Sequence, residues 1–259
     1  MSDWEVPNYF VSHKNEKKTK YVLVIPVINE GEKIRNQLLK IADSPFEIDI
    51  VLSDGGSTDG SLDLEFIKSI GLRAVLIKDG PGRLSAQLRM AYSWCIKEGY
   101  QGIVTMDGNG KDDISGISDI VMKLEERFDY VQGSRYIKGG IAINTPVDRA
   151  LANRLIHSPL LSFASGCWFT DTTNGFRGYS TVFLLDPRVK PFRDIFMNYE
   201  LLFYLTKMAG KLRFNVCEVP VTRRYPEKGI TPTKISGIRG KLGVLKETLQ
   251  VVLGFGENS

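Results

Sequence analysis

From Tyr21 to Gln132 the sequence repeats one pattern: a short apolar run, a turn rich in Asp, Gly or Asn, then a segment whose apolar residues fall three or four apart. Tyr21–Ile28 (YVLVIPVI) is continuously apolar, as a strand covered on both faces must be. Ile48–Leu52, Arg73–Ile77, Ile103–Met106 and a short Asp129–Gln132 read as further strands. Between them, Glu30–Ala42 carries Ile34, Leu38 and Ile41 at helical spacing. Leu62–Ile70, Arg83–Lys97 and the stretch marked by Ile117, Ile120, Val121 and Leu124 do the same. Strand and helix alternating at this pitch build βαβ units, so the pattern predicts an α/β fold with a mostly parallel central sheet flanked by helices.

Beyond Gln132 the pattern loosens. Helices are predicted at Asp148–Phe163 and Tyr199–Ala209, and a strand at Phe214–Val221. From Ile235 the tail places Ile238, Leu242, Leu245, Leu249 and Val252 at steps of three and four. That amphipathic helix is expected to pack on the domain, on a second subunit of a homo-oligomer, or on a membrane surface. The chain thus divides into a polar, partly disordered leader (1–20), one domain (21–234) and the tail helix (235–259). The 259 residues suffice for one large α/β core. A net charge of +4 without any nucleic-acid signature argues against DNA or RNA as a partner. Three scattered cysteines and two histidines leave no zinc set. The leader lacks a signal peptide's apolar core, and no run nears the roughly 18 residues of a membrane span. A cytoplasmic protein, at most peripheral on the inner face of a membrane, is expected.

The unusual residues gather at one place on this map. Pro26–Glu30 (PVINE), Ser53–Gly60 (SDGGSTDG), Asp79–Arg83 (DGPGR) and Asp107–Lys111 (DGNGK) each follow a strand predicted to be parallel. In open α/β sheets ligands bind at that carboxyl edge. Gly55 and Gly56 permit close backbone approach, and the carboxylate of Asp54 can accept hydrogen bonds from a base or ribose. Asp107 and Asn109, two positions apart, can share a hard, oxygen-preferring cation such as Mg²⁺ or Mn²⁺. A metal bridging a diphosphate would stabilise its charge as it departs.

PVINE, SDGGSTDG, MDGN, GSRY (Gly133–Tyr136), DTTNGFRGYS (Asp171–Ser180), NYELL (Asn198–Leu202) and CEVPVTRR (Cys217–Arg224) occur in that order. Together they resemble the inverting family-two glycosyltransferases of GT-A fold, especially the dolichyl- and polyprenyl-phosphate sugar synthases. The resemblance spans nearly the whole chain from Tyr21. It implies that Pro26, Val27, Glu30, Asp54, Gly55, Asp107, Gly108 and Arg135 meet a nucleotide-sugar donor, with Asp107 and Asn109 at the metal. It implies that Arg149, Arg223 and Lys234 face donor or acceptor phosphate. The chain departs from the family at Asn109, where a second aspartate is usual, and at Lys111, where a metal-contacting glutamine is common. A charged lysine cannot be a ligand, so Lys111 is expected to offset diphosphate charge directly, with weaker metal binding. The resemblance implies transfer of the sugar with inversion to a polyprenyl phosphate or a cell-surface polysaccharide precursor; a lipid phosphate acceptor needs no general base, whereas a hydroxyl acceptor does. For the latter Asp171 is the leading candidate, with Arg149 beside it, and Glu200 a weaker one that could instead hold Arg177 or another cation. The basic run Arg223, Arg224, Lys228, Lys234, Arg239 and Lys241 suits a lipid phosphate or an anionic bilayer. The alternative reading is a non-catalytic sugar-nucleotide-binding protein descended from such an enzyme.

Overall fold

A computed structural model describes residues 4–227 and 237–257. Its first half runs β1 (Tyr9–Lys14), β2 (Tyr21–Val27), α1 (Glu32–Ala42), β3 (Asp49–Asp54), α2 (Leu64–Ser69), β4 (Ala74–Lys78), α3 (Leu84–Lys97), β5 (Gly102–Thr105), α4 (Gly116–Glu125) and β6 (Tyr130–Ser134). The second half runs β7 (Ile141–Ile143), α5 (Val147–Ala152), a π-helical turn (Asn153–His157), α6 (Ser158–Ser165), β8 (Arg177–Ser180), α7 (Thr181–Leu185), α8 (Glu200–Lys211), β9 (Val216–Pro220), β10 (Thr222–Arg224) and α9 (Gly237–Val252).

Eight strands form one sheet in the order β1-β4-β3-β2-β5-β8-β6-β9. β4, β3, β2 and β5 are mutually parallel, so their carboxyl ends share one edge. The apolar run of β2 divides between two cores because successive side chains point to opposite faces. Val22 and Val24 join α3 and α8 on one side, while Leu23 and Ile25 meet Ile34, Leu38 and Ile41 of α1 on the other. Full burial of each such side chain is worth about 1.5–3 kcal/mol. The α/β architecture with a mostly parallel sheet is as the sequence pattern predicts.

Three features differ from the pattern. β8 enters antiparallel between β5 and β6. Its residues RGYS contain no apolar run, and at Gly178 an added Cβ would lie 2.4 Å from Ile120 Cγ2, so only glycine admits the crossing of α4. β1 lies inside the stretch read as a leader and pairs antiparallel with β4 as an edge strand. The helix predicted at Asp148–Phe163 is interrupted by the π turn, a form that recurs at functional sites. α9 packs on α8 and α6 through Val244, Val251 and Val252. Of the surfaces considered for the tail helix, its own domain is therefore one it uses.

Candidate active site at the carboxyl edge of the sheet

The loops after β2 and β3 are stitched to each other. Asn29 N–H donates to Ser57 Oγ (3.0 Å), Thr58 N–H to Asn29 Oδ1 (2.8 Å) and Gly31 N–H to Asp59 Oδ2 (2.8 Å). Gln87 of α3 reaches up from below and donates to the carbonyls of Val27 (2.9 Å) and Ser53 (2.8 Å), fixing both strand ends. Asp54 belongs to this stitching. Its carboxylate accepts from Gly56 N–H, Ser57 N–H and Ser57 Oγ (2.6 Å), and the residue is 3% exposed. Expected as a base or ribose contact, it instead holds its own turn. Pro26, Val27, Glu30 and Gly55 do line the cavity above.

The loop after β5 is built around Asp107. Gly108 passes so close to β2 that an added Cβ would lie 2.6 Å from Val27 Cγ1. Gln37 of α1 brackets the turn, donating to Asp107 O (3.0 Å) and accepting from Gly110 N–H (2.9 Å). The Asp107 carboxylate accepts from Arg223 Nη2 (2.8 Å) and Asn109 Nδ2 (3.3 Å), both on Oδ2. Arg223 Nη1 also donates to Asp112 Oδ2 (2.5 Å), so one guanidinium bridges two carboxylates. Burial alone would raise the Asp107 pKa, but Arg223 and Lys111 hold it below the ordinary carboxylate value. At Asp112 burial wins and raises it, helped by the charge of Asp107. Asn109 offers no free pair of ligands: its Nδ2 faces Asp107 and its Oδ1 accepts from Lys111 N–H (3.3 Å). Among the described residues no three His, Cys, Asp or Glu side chains converge. The described residues therefore form no ready-made site for Mg²⁺ or Mn²⁺ before a ligand adds oxygens of its own.

Above these loops lies a cavity of about 860 Å³, within the roughly 300–1,000 Å³ of small-molecule sites. Asp107, Gly108, Asn109, Lys111, Arg135, Arg149 and Arg223 all line it, so the expected donor and phosphate residues are brought together. Lys228 and Lys234 lie outside the described residues, as does the side chain of Arg239. Asp171 is not in the wall. It is 0% exposed and accepts from Arg135 Nε (2.6 Å) and Nη2 (2.8 Å). Burial alone would lower the Arg135 pKa, but Asp171 raises it, so this pair is a fixed cation with its strut. Expected as a general base, Asp171 instead faces Arg135 and not the cavity. Glu200 does not hold Arg177 either. It accepts from Met197 N–H (3.2 Å) and Asn198 N–H (2.6 Å) at the start of α8. Arg177 instead donates to the carbonyls of Thr172 (2.6 Å), Asn174 (2.8 Å) and Leu202 (2.5 Å).

Three contributors escape sequence reasoning. Asp112 was hidden in an acidic pair, and nothing local says that an arginine 111 positions away reaches it. The Tyr225 ring lies beside Lys111 (5.0 Å), Arg223 (5.8 Å) and Arg149 (5.9 Å), all of them in the cavity wall. The π turn places Asn153 and His157 in the same wall, with His157 Nδ1 2.9 Å from Thr248 Oγ1 of α9. For Gln37 a local signal exists: it is the polar residue on the buried face of α1, beside Ile34, Leu38 and Ile41.

No family model matches the chain. It is 25% identical to a polyprenol monophosphomannose synthase of Mycolicibacterium smegmatis over 221 residues, covering 84% of this chain and 82% of that one. It is 26% identical to an undecaprenyl-phosphate mannosyltransferase of Micrococcus luteus, covering 83% and 86%. In structure it resembles the glucosyl-3-phosphoglycerate synthase of Mycobacterium tuberculosis, solved with Mn²⁺, UDP and glucosyl-3-phosphoglycerate, at a TM-score of 0.61 and 17% identity, covering 91% and 80%. The chain is a glycosyltransferase of GT-A fold, similar to the polyprenyl-phosphate sugar synthases. In this transferase α9 supplies one wall of the carboxyl-edge cavity through Lys241, Leu242, Val244 and Leu245.

The same helix carries a carboxyl with a raised pKa. Burial, with Glu200 nearby, pushes the Glu247 carboxyl of α9 up from 4.5 to about 7, opposed by Tyr199 N–H and Arg83. A raised folded pKa means that the native state binds the proton more tightly than the unfolded chain. The associated stability is present in full below about pH 4.5 and is lost as pH rises to about 7. Glu247→Gln removes this dependence. The melting temperature of the variant minus that of the wild type should grow from pH 5 to pH 8 (on the order of the pKa window); a difference constant across that range would contradict the assignment.

Proposed function

We propose that this transferase moves a hexosyl group, with inversion, from a nucleotide-diphospho-sugar to the phosphate of a polyprenyl phosphate. The observation that carries this reading is the charge of the cavity wall. Among the described residues it contains nine lysines and arginines against three carboxylates, Glu30, Asp107 and Asp148. Asp107 is paired with Arg223 and Asp148 with Lys241 (2.5 Å). Such a wall suits two anionic substrates, and both Asp107 and Asp148 are paired with cations rather than poised as a base for a hydroxyl acceptor. A phosphate acceptor is already a nucleophile and needs none. In a single displacement its oxygen attacks the anomeric carbon, the C–O bond to the diphosphate breaks, and the bond electrons leave with the diphosphate. The fixed cations stabilise that departing charge. A divalent ion, Mg²⁺ or Mn²⁺, would be a weakly held companion of the diphosphate, with Asp107 as its one carboxylate.

The names of the curated relatives support a polyprenyl phosphate acceptor, and the cavity supports it independently. One end is apolar, walled by Ile156, Leu202, Phe203, Leu242 and Leu245. Immediately outside, Val147, Leu151 and Leu155 stand four apart with 73%, 52% and 69% of their surfaces exposed, and Phe163 follows at 88%. No described helix is long and apolar enough to cross a membrane. An apolar row of this kind, accompanied by Arg154, suits shallow insertion into an anionic lipid surface. We therefore place the protein peripherally on the cytoplasmic leaflet, where the acceptor phosphate can enter.

Incubation with labelled UDP-, GDP- or dTDP-hexoses and undecaprenyl phosphate in vesicles should yield a lipid-linked sugar. Asp107→Ala should lower kcat/KM by about a hundredfold or more, the scale of lost charge-stabilising groups. Donor binding without transfer to any lipid phosphate would instead favour the non-catalytic reading. In flotation with anionic phospholipid vesicles, replacing Leu151 and Leu155 together by Glu should cut binding by about tenfold or more. Unchanged flotation would remove this row from the membrane face.

A further inference from the structure

The carboxylates of Asp107 and Asp112 share one cation of the protein's own: the guanidinium of Arg223 lies between them, 2.8 Å from one and 2.5 Å from the other. Asn109 has its amide turned so that nitrogen faces Asp107 and oxygen faces the Lys111 backbone. Lys111 itself is 6% exposed, sits 5.0 Å over the Tyr225 ring and contributes to the cavity wall. Its ammonium has three donors and no acceptor, so it can bond phosphate oxygens but cannot ligate a metal. Arg149 and Arg223 flank the same ring. Counted locally, Lys111, Arg149 and Arg223 exceed Asp107 and Asp112 by one positive charge before any ligand arrives. A dication added there would meet repulsion, whereas a diphosphate would neutralise the excess.

We propose that the donor diphosphate is met by these fixed side-chain cations, Lys111 foremost, and that donor binding does not require a divalent metal ion. This rests on the reading of the cavity as a nucleotide-sugar site. Lys111 is offered as the direct phosphate contact, Tyr225 as the platform that positions it, and Arg223 as the cation that already neutralises Asp107.

The test is calorimetric titration of the full chain with UDP-glucose and with GDP-mannose, in EDTA and in excess Mn²⁺. For whichever donor binds, the wild-type dissociation constant should differ by less than about threefold between the two conditions. Lys111→Gln should weaken metal-free binding by about tenfold, or about 1.4 kcal/mol, and restore a gain on adding Mn²⁺, because glutamine offers an oxygen. Lys111→Arg, which keeps the charge, should retain metal-free binding; thermal melts of both variants check that the fold is intact. Wild-type binding that weakens tenfold or more in EDTA overturns the inference and leaves the donor reading standing. Lys111→Gln binding as tightly as wild type without metal overturns it as well. No binding of either donor under either condition overturns both this inference and the donor reading for these nucleotides.

Discussion

The guanidinium of Arg223 lies between the carboxylates of Asp107 and Asp112, and three separate stretches of chain take their positions from that bridge. The strand β10 that carries it is held to the loop after β5 by backbone bonds on either side, Asp113 N–H to Thr222 O (2.9 Å) and Arg224 N–H to Lys111 O (2.8 Å). Ile141–Ile143 pairs with the other edge of β10. The ion bridge is buried, so removing one partner leaves uncompensated charge at a cost of about 3–5 kcal/mol. It is therefore a poor place for variation and a good place from which to fix a substrate.

Around this bridge the remaining parts are held by neutral amides and one ring. Gln37 and Gln87 rise from α1 and α3 to bracket the loops at the carboxyl edge, which ties the turns to helices that the two cores already hold. Tyr225, two residues beyond Arg223, packs against three cations. Asp171 clamps Arg135 through its Nε and Nη2. Such a site is preorganised: its charges are aimed before the ligand arrives, and little reorganisation remains when charge develops on the departing diphosphate.

The fold was legible because burial on both faces forces continuous apolar strands, and YVLVIPVI admits hardly any other reading. The convergence of four polar loops at one edge followed from the parallel direction of those strands. That Asp107, Lys111, Arg149 and Arg223 would converge on one cavity was legible through loop position and resemblance. The roles of Asp54 and Asp171 were not, because a carboxylate that closes its own turn or clamps an arginine has the same local sequence as one that meets a ligand. β8 was invisible for a different reason: RGYS is admitted by a steric requirement at Gly178, not by an apolar pattern. Asp112 and Tyr225 depend on long-range contacts that no local spacing encodes.

The central claim is that a nucleotide sugar binds across the carboxyl ends of β2, β3 and β5, on the loops that Arg223, Gln37 and Gln87 hold in place. Hydrogen–deuterium exchange of the protein saturated with its preferred nucleotide-hexose tests this most directly. The account predicts added protection in residues 26–31, 55–59 and 107–112, with the far edge of the sheet at β1 unchanged. Protection confined to other segments, with these three loops exchanging as in the free protein, would contradict it.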